Sequence, residues 1–220
     1  MRSGPRPPAH DAVLPAIRRN WFDATMLKLN PLVLSLLALA LLTVAARAHG
    51  QASGWWTQFA ARSPDGVAVA PSGRWIVLVF LSPECPLANA EAPVLDALVK
   101  EFAPRGFSFV GVYSDPVIAP DALRQHAKDY GFAFPTVDDR TQRVARTTGA
   151  TYTPEVFVFS ADGTRLYRGR IDDRVGDFGE ARPAATRQDL REVLTALAAG
   201  RSGPFEDRPG FGCAIPQPVK

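Results

Sequence analysis

The residues best suited to chemistry lie at 80–93, FLSPECPLANAEAP, where an apolar run gives way to a helical pattern around Cys85. A thiol at a helix N-terminus faces backbone N–H groups without intrahelical partners and the positive end of the helix dipole. Both favour the thiolate, and with it attack on sulfur. Glu84, directly adjacent, opposes ionisation with its own negative charge, so the residues alone leave the balance open. Ala88 stands three residues on, so no second sulfur occupies the first helical turn, and the other cysteine, Cys213, lies in the C-terminal tail. Cys85 can attack a disulfide, but the mixed product needs another thiol to resolve it. A mobile Gly/Pro-rich tail can bring Cys213, because loop-closure cost grows slowly with length. The same two cysteines also suit a plain structural disulfide, which would stabilise the fold by about 2–5 kcal/mol without any chemistry. Both readings stand on the residues.

Other candidates carry less. His126 falls near the apolar face of a helix expected at 120–130 and reads as a partly buried structural histidine. Glu155 is either a groove-lining carboxylate or an exposed one at a strand end, whereas Arg168, Arg170, Asp172 and Asp173 read as a solvated charged face. Beyond the N-terminal region only His49, His126 and the two cysteines offer soft ligands, too few for a zinc or copper site; no metal or cofactor is expected.

The net charge of +3 invites a nucleic-acid reading, yet Arg2, Arg6, Arg18, Arg19, Lys28 and Arg47 supply the excess and the rest of the chain is near neutral. A basic footprint for phosphates is absent, so nucleic acid is not an expected partner. Residues 31–46, PLVLSLLALALLTVAA, are apolar, preceded by Lys28 and followed by Ala46-Arg47-Ala48, an A-x-A cleavage pattern. Residues 1–48 are expected to be an export leader, with Met26 as a start that leaves a conventional signal peptide at 26–48. The run is short for a membrane span, and membrane contact is expected only through it if it stays uncleaved. Export to the periplasm or cell envelope is an oxidising destination in which Cys85 and Cys213 can form a disulfide.

Elements that would position Cys85 follow from pattern. Residues 49–62 form an N-terminal segment around Trp55-Trp56, and Trp75–Leu81, WIVLVFL, reads as a central strand buried on both faces. Pro86 opens a helix that Pro93 should kink, and Phe107–Tyr113 supplies the next strand, parallel to the first through a right-handed crossover. A helix at 120–130 ends at Gly131, an edge strand is expected within 132–137, and Asp138 or Asp139 caps a short helix ending at Gly149. TPEVFVFSADGTRLYRGRI reads as two antiparallel strands joined at Asp162-Gly163, and residues 186–199 form a last amphipathic helix before the tail at 201–220. The fold class is α/β: a central mixed β-sheet flanked by helices on both faces.

These features resemble the thioredoxin-like redoxin family over residues 63–200: Cys85-Pro86 at a strand-to-helix junction, Pro93 eight residues later, Thr153-Pro154 before a strand, and the closing hairpin and helix. The resemblance implies a thioredoxin-like fold in which Pro154 is a cis-proline lying against the Cys85 sulfur. It also implies a substrate groove at Pro86, Thr153, Pro154 and Glu155. Cys85 becomes the nucleophile and Cys213, in a GFGCAIP tail like that of exported redoxins, the resolving thiol, acting on a protein thiol or disulfide. Two alternatives remain. A thiol peroxidase of the peroxiredoxin kind matches Ser82 three residues before Cys85, but has Leu78 where that family has proline and no arginine near Pro154. A non-catalytic thioredoxin-fold module would use Cys85–Cys213 only as a brace. N-terminal sequencing of the protein from envelope fractions should give a chain that lacks residues 1–48; an intact precursor in the cytosol would exclude export.

Overall fold

Seven consecutive apolar residues, Trp75–Leu81, form β1, and all seven are buried, as expected of a central strand covered on both faces. The computed structural model describes residues 54–176 and 182–216; the leader at 1–48, Met26, the apolar run at 31–46 and His49 lie outside the described residues. No helix among the described residues is long and apolar enough to cross a membrane.

β1 pairs in parallel with β2, Phe107–Tyr113, which in turn pairs in parallel with a short edge strand β3, Thr136–Asp138. The edge strand is shorter and later than the apolar pattern at 132–137 indicates. On its other side β1 runs antiparallel to β5, Glu155–Ser160, and β5 to β6, Arg165–Gly169, which gives the order β3-β2-β1-β5-β6. The hairpin turns at Asp162-Gly163 as the sequence indicates. Asp162 Oδ1 accepts the Thr164 N–H at 3.0 Å, and Gly163 takes φ 93°, a conformation that only glycine adopts without strain.

Between β1 and β2 the single kinked helix expected from Pro86 is instead two helices, α1 (Pro86–Ala90) and α2 (Ala92–Phe102), broken at Glu91. Pro93 is the reason. It sits in the first turn of α2, where its missing N–H costs nothing. One face of the sheet packs Leu95, Leu98 and Phe102 of α2, Leu123 of α3 (Pro120–Asp129), and Leu190, Val193, Leu194 and Leu197 of α5 (Asp189–Ala198). Cys85 belongs to this core. The opposite face packs Val144 and Ala145 of α4 (Arg143–Thr148) with Trp56 and Phe59, so helices flank both faces. Trp56 Nε1 donates to the Val69 carbonyl at 2.8 Å, and the Trp55 ring lies 4.7 Å from that of Phe159. Asp139 caps α4 as expected: its two carboxylate oxygens accept the Val144 and Ala145 N–H groups, each at 3.0 Å, and Ser114 donates to it at 2.8 Å. Gly149 closes the helix at φ 78°.

The tail departs most from expectation. Instead of remaining mobile, Cys213–Ala214 forms a strand, β7, antiparallel to β4 (Tyr152–Thr153), with Tyr152 opposite Ala214 and Thr153 opposite Cys213. Leu98 is buried under the sheet on the same face as Cys85. Leu98→Ala is expected to cost about 2–5 kcal/mol in urea unfolding, because it leaves a cavity in a closed core.

Candidate active site

β1 ends at Leu81, and the turn Ser82–Glu84 delivers Cys85 as the N-cap of α1. Its side chain has no exposed surface. The Cys85 S–H donates to the Thr153 carbonyl at 3.0 Å, and its sulfur accepts the Ala88 N–H at 3.4 Å. Thr153-Pro154 is a cis peptide bond, as the resemblance implies, and Pro154 is buried. The loop before Cys85 is braced from behind. Asn89 donates to the Pro83 carbonyl at 3.1 Å and accepts from His126 Nε2 at 2.8 Å, while His126 Nδ1 accepts the Tyr113 hydroxyl at 2.7 Å. His126 is thus a buried structural histidine. Burial pulls its pKa down, against a smaller opposing effect of Asp129.

Register places Cys213 opposite Thr153, whose carbonyl accepts the Cys85 S–H, and so next to Cys85; both thiols are free. Their acidities diverge. Burial alone would push the Cys85 thiol up, but the Cys213 thiol, the Thr153 hydroxyl and the N–H groups of Ala88 and Cys213 together hold it below its ordinary value. For Cys213, burial and then the neighbouring Cys85 sulfur, as hydrogen-bond acceptor and as charge, push the thiol up to about 11. The two sulfurs are thus driven in opposite directions, Cys85 below the ordinary thiol value and Cys213 above it.

The remaining expected residues sort differently. Pro86 is exposed at the first turn of α1, and Thr153 lies against both cysteines. Glu84 is exposed, so water screens its charge from Cys85. Glu155 is a correction: it is 1% exposed, neither groove-lining nor solvated, and its carboxylate accepts the Thr151 N–H at 2.9 Å and Arg168 Nε at 2.6 Å. Alternation along β5 is the cause, since Val156 and Val158 face the Cys85 core while Glu155, Phe157 and Phe159 face away. Nor is 168–173 a solvated face. Arg168 pairs with buried Glu155, Arg170 with buried Asp189 at 2.6 Å, and Asp172 and Asp173 are themselves buried and paired to Arg174 and Arg182. No group of His, Cys, Asp and Glu able to hold a metal occurs among the described residues.

Sequence reasoning missed Glu91, which terminates α1 and lines a small cavity with Leu87, Pro154 and Phe211. The available signal was Pro93, whose place in a first helical turn puts a helix break at position 91. Arg174 Nη2 approaches Glu91 Oε2 to 2.8 Å, close enough for an ion pair but poorly aligned for a hydrogen bond. Burial and the Asp172 charge outweigh Arg174 and push the Glu91 carboxyl up to about 7.

The sheet order, the cis-proline and the cysteine capping the helix after β1 define a thioredoxin-like fold. Residues 67–166 match the model of the AhpC/TSA family. An uncharacterized conserved protein from Geobacillus kaustophilus superposes with a TM-score of 0.65 at 28% identity, over 73% of this chain and 89% of its own. A hypothetical protein from Sinorhizobium meliloti 1021 gives 0.62 at 24% identity, over 70% and 88%. MTB dsbF, solved in mixed oxidized and reduced forms, gives 0.50 at 25% identity, over 64% and 95%. No curated protein matches the sequence.

Glu91 makes a pH prediction. Its folded value of about 7 lies above the ordinary 4.5 of an unfolded glutamate, so between those values the folded state holds a proton that the unfolded state has lost. Stability contributed by this group should fall as pH rises through that window. Urea midpoints compared at about pH 5 and about pH 8 should show a decline that Glu91→Gln reduces.

Proposed function

We propose that the protein is an exported thiol-disulfide oxidoreductase in which Cys85 is the nucleophile and Cys213 the resolving thiol. One observation carries this reading: strand register sets Cys213 opposite Thr153, whose carbonyl accepts the S–H of Cys85 at the N-cap of α1, beside the cis bond to Pro154. The Cys85 thiolate attacks one sulfur of a substrate disulfide, forming a mixed disulfide and releasing the other substrate sulfur as a thiolate, which takes up a proton. Cys213 then loses its proton and attacks Cys85 Sγ, expelling the second substrate thiolate. The products are a Cys85–Cys213 disulfide and a substrate dithiol. An external dithiol reductant returns the pair to its starting state; run backwards, the sequence oxidises a substrate dithiol. Protein disulfides are the proposed substrates, and the leader pattern at 26–48 supports the periplasm or envelope as the place of work.

The peroxidase reading rests on the AhpC/TSA match, and the local geometry counts against it. The Ser82 hydroxyl accepts the Glu84 N–H at 3.3 Å. Arg170, which lines the cavity beside Pro154, is held by Asp189. A brace without catalysis would need no helix N-terminus set against a cis-proline.

Cys213→Ser should accumulate mixed disulfides through Cys85 that are visible on non-reducing gels and vanish with reductant, while Cys85→Ser should trap nothing. Two single variants that are equally inert toward thiols and merely less stable would identify the pair as a brace.

A further inference from the structure

Cys85 has no exposed surface, so nothing outside the molecule can reach its sulfur while the tail lies on β4. The tail is strapped at two points. Before the site, the Arg208 N–H donates to the Arg168 carbonyl at 3.0 Å and the Arg170 N–H to the Arg208 carbonyl at 2.8 Å. Beyond it, the Ile215 N–H donates to the Thr151 carbonyl at 2.9 Å, and Ile215 is buried in the second core. Between them the strap is fitted closely to the site. A side chain at Gly212 would collide with the Thr153 carbonyl, and one at Gly210 would lie 2.7 Å from Arg170 Cβ. Gly210 also donates its N–H to the Tyr152 hydroxyl at 2.9 Å.

Among the described residues β4 pairs only with β7. When β7 leaves, it vacates a backbone edge that can accept another extended strand. A strand bound in the same register puts its residue opposite Thr153 against the Cys85 sulfur. We propose that the tail occupies the outer edge of β4, from Thr151 to Thr153, in the resting molecule as a built-in stand-in for an extended substrate strand, and that the strand which displaces it carries glycine immediately before its cysteine. This deepens the thiol-exchange reading and rests on it. Backbone pairing supplies the hold and the collision at position 212 supplies the selection. Tail and substrate compete for one edge, so the return of β7 displaces the product strand in the same movement that brings Cys213 onto the mixed disulfide.

The test uses the full chain carrying Cys213→Ser, which keeps the tail and leaves Cys85 as the single thiol. Two probes are compared, the peptides Gly-Phe-Gly-Cys-Ala-Ile and Gly-Phe-Val-Cys-Ala-Ile, each as its mixed disulfide with nitrothiobenzoate. Cys85 attacks the peptide sulfur and nitrothiobenzoate leaves as the coloured thiolate. The glycine peptide should react roughly tenfold faster or more, since the valine side chain meets the Thr153 carbonyl. Adding Gly212→Ala, with circular dichroism confirming the fold, should raise the iodoacetamide alkylation rate of Cys85 by roughly tenfold or more, because reactivity scales with the fraction of molecules whose tail is off the edge. Equally fast reaction with both peptides overturns the docking proposal and leaves the redox reading standing. No exchange with either peptide by a Cys85 that alkylates readily overturns both. An unchanged alkylation rate in folded Gly212→Ala overturns the tail's role as stand-in and the proposal with it.

Discussion

The Thr153 carbonyl accepts the Cys85 S–H at 3.0 Å, and most of what surrounds the site answers to that contact. For the sulfur to arrive there, β1 must end at Leu81 and α1 must start at Pro86, leaving Cys85 as the N-cap between them. For the carbonyl to be there, β4 must stop before the cis bond to Pro154 and β5 must begin at Glu155. The tail then has to approach within strand-pairing distance of the same residue, which only glycine at 212 permits.

Buried charge also serves this arrangement. Arg168 and Arg170 hold Glu155 and Asp189 with their guanidinium groups while their backbones clasp Arg208. A buried ion pair gives little net stability, because desolvation offsets most of the attraction. Here the pairs also fix the end of β6, and with it the anchor of the tail. His126 acts comparably on the other side: through Asn89 it holds the Pro83 carbonyl and so the turn that presents Cys85.

The elements that read clearly in the sequence were those with long or chemically marked patterns: the apolar run of β1, the Asp162-Gly163 turn, the four-residue recurrence of Leu190, Val193, Leu194 and Leu197. Cys85 was legible because Pro86 marks a helix start. A two-residue strand has no periodicity to detect, so β7 and its pairing across some sixty residues were invisible. Glu155 was misjudged because the face it takes depends on strand register, which is set by β1 and not by its neighbours in sequence. Arg168 to Asp173 looked solvated for a similar reason, since the partners Glu155 and Asp189 lie far along the chain. Glu91 carries no signal of burial of its own among small residues.

The second face of the sheet is roofed near the N-terminus by a single turn carrying Trp56 and Phe59, with Trp55 packed on Phe159. Ile76, Leu78, Phe80 and Phe157 lie beneath and have no exposed surface. A deletion that reached Trp55 to Phe59 would strip this roof and expose the apolar side chains beneath it to water.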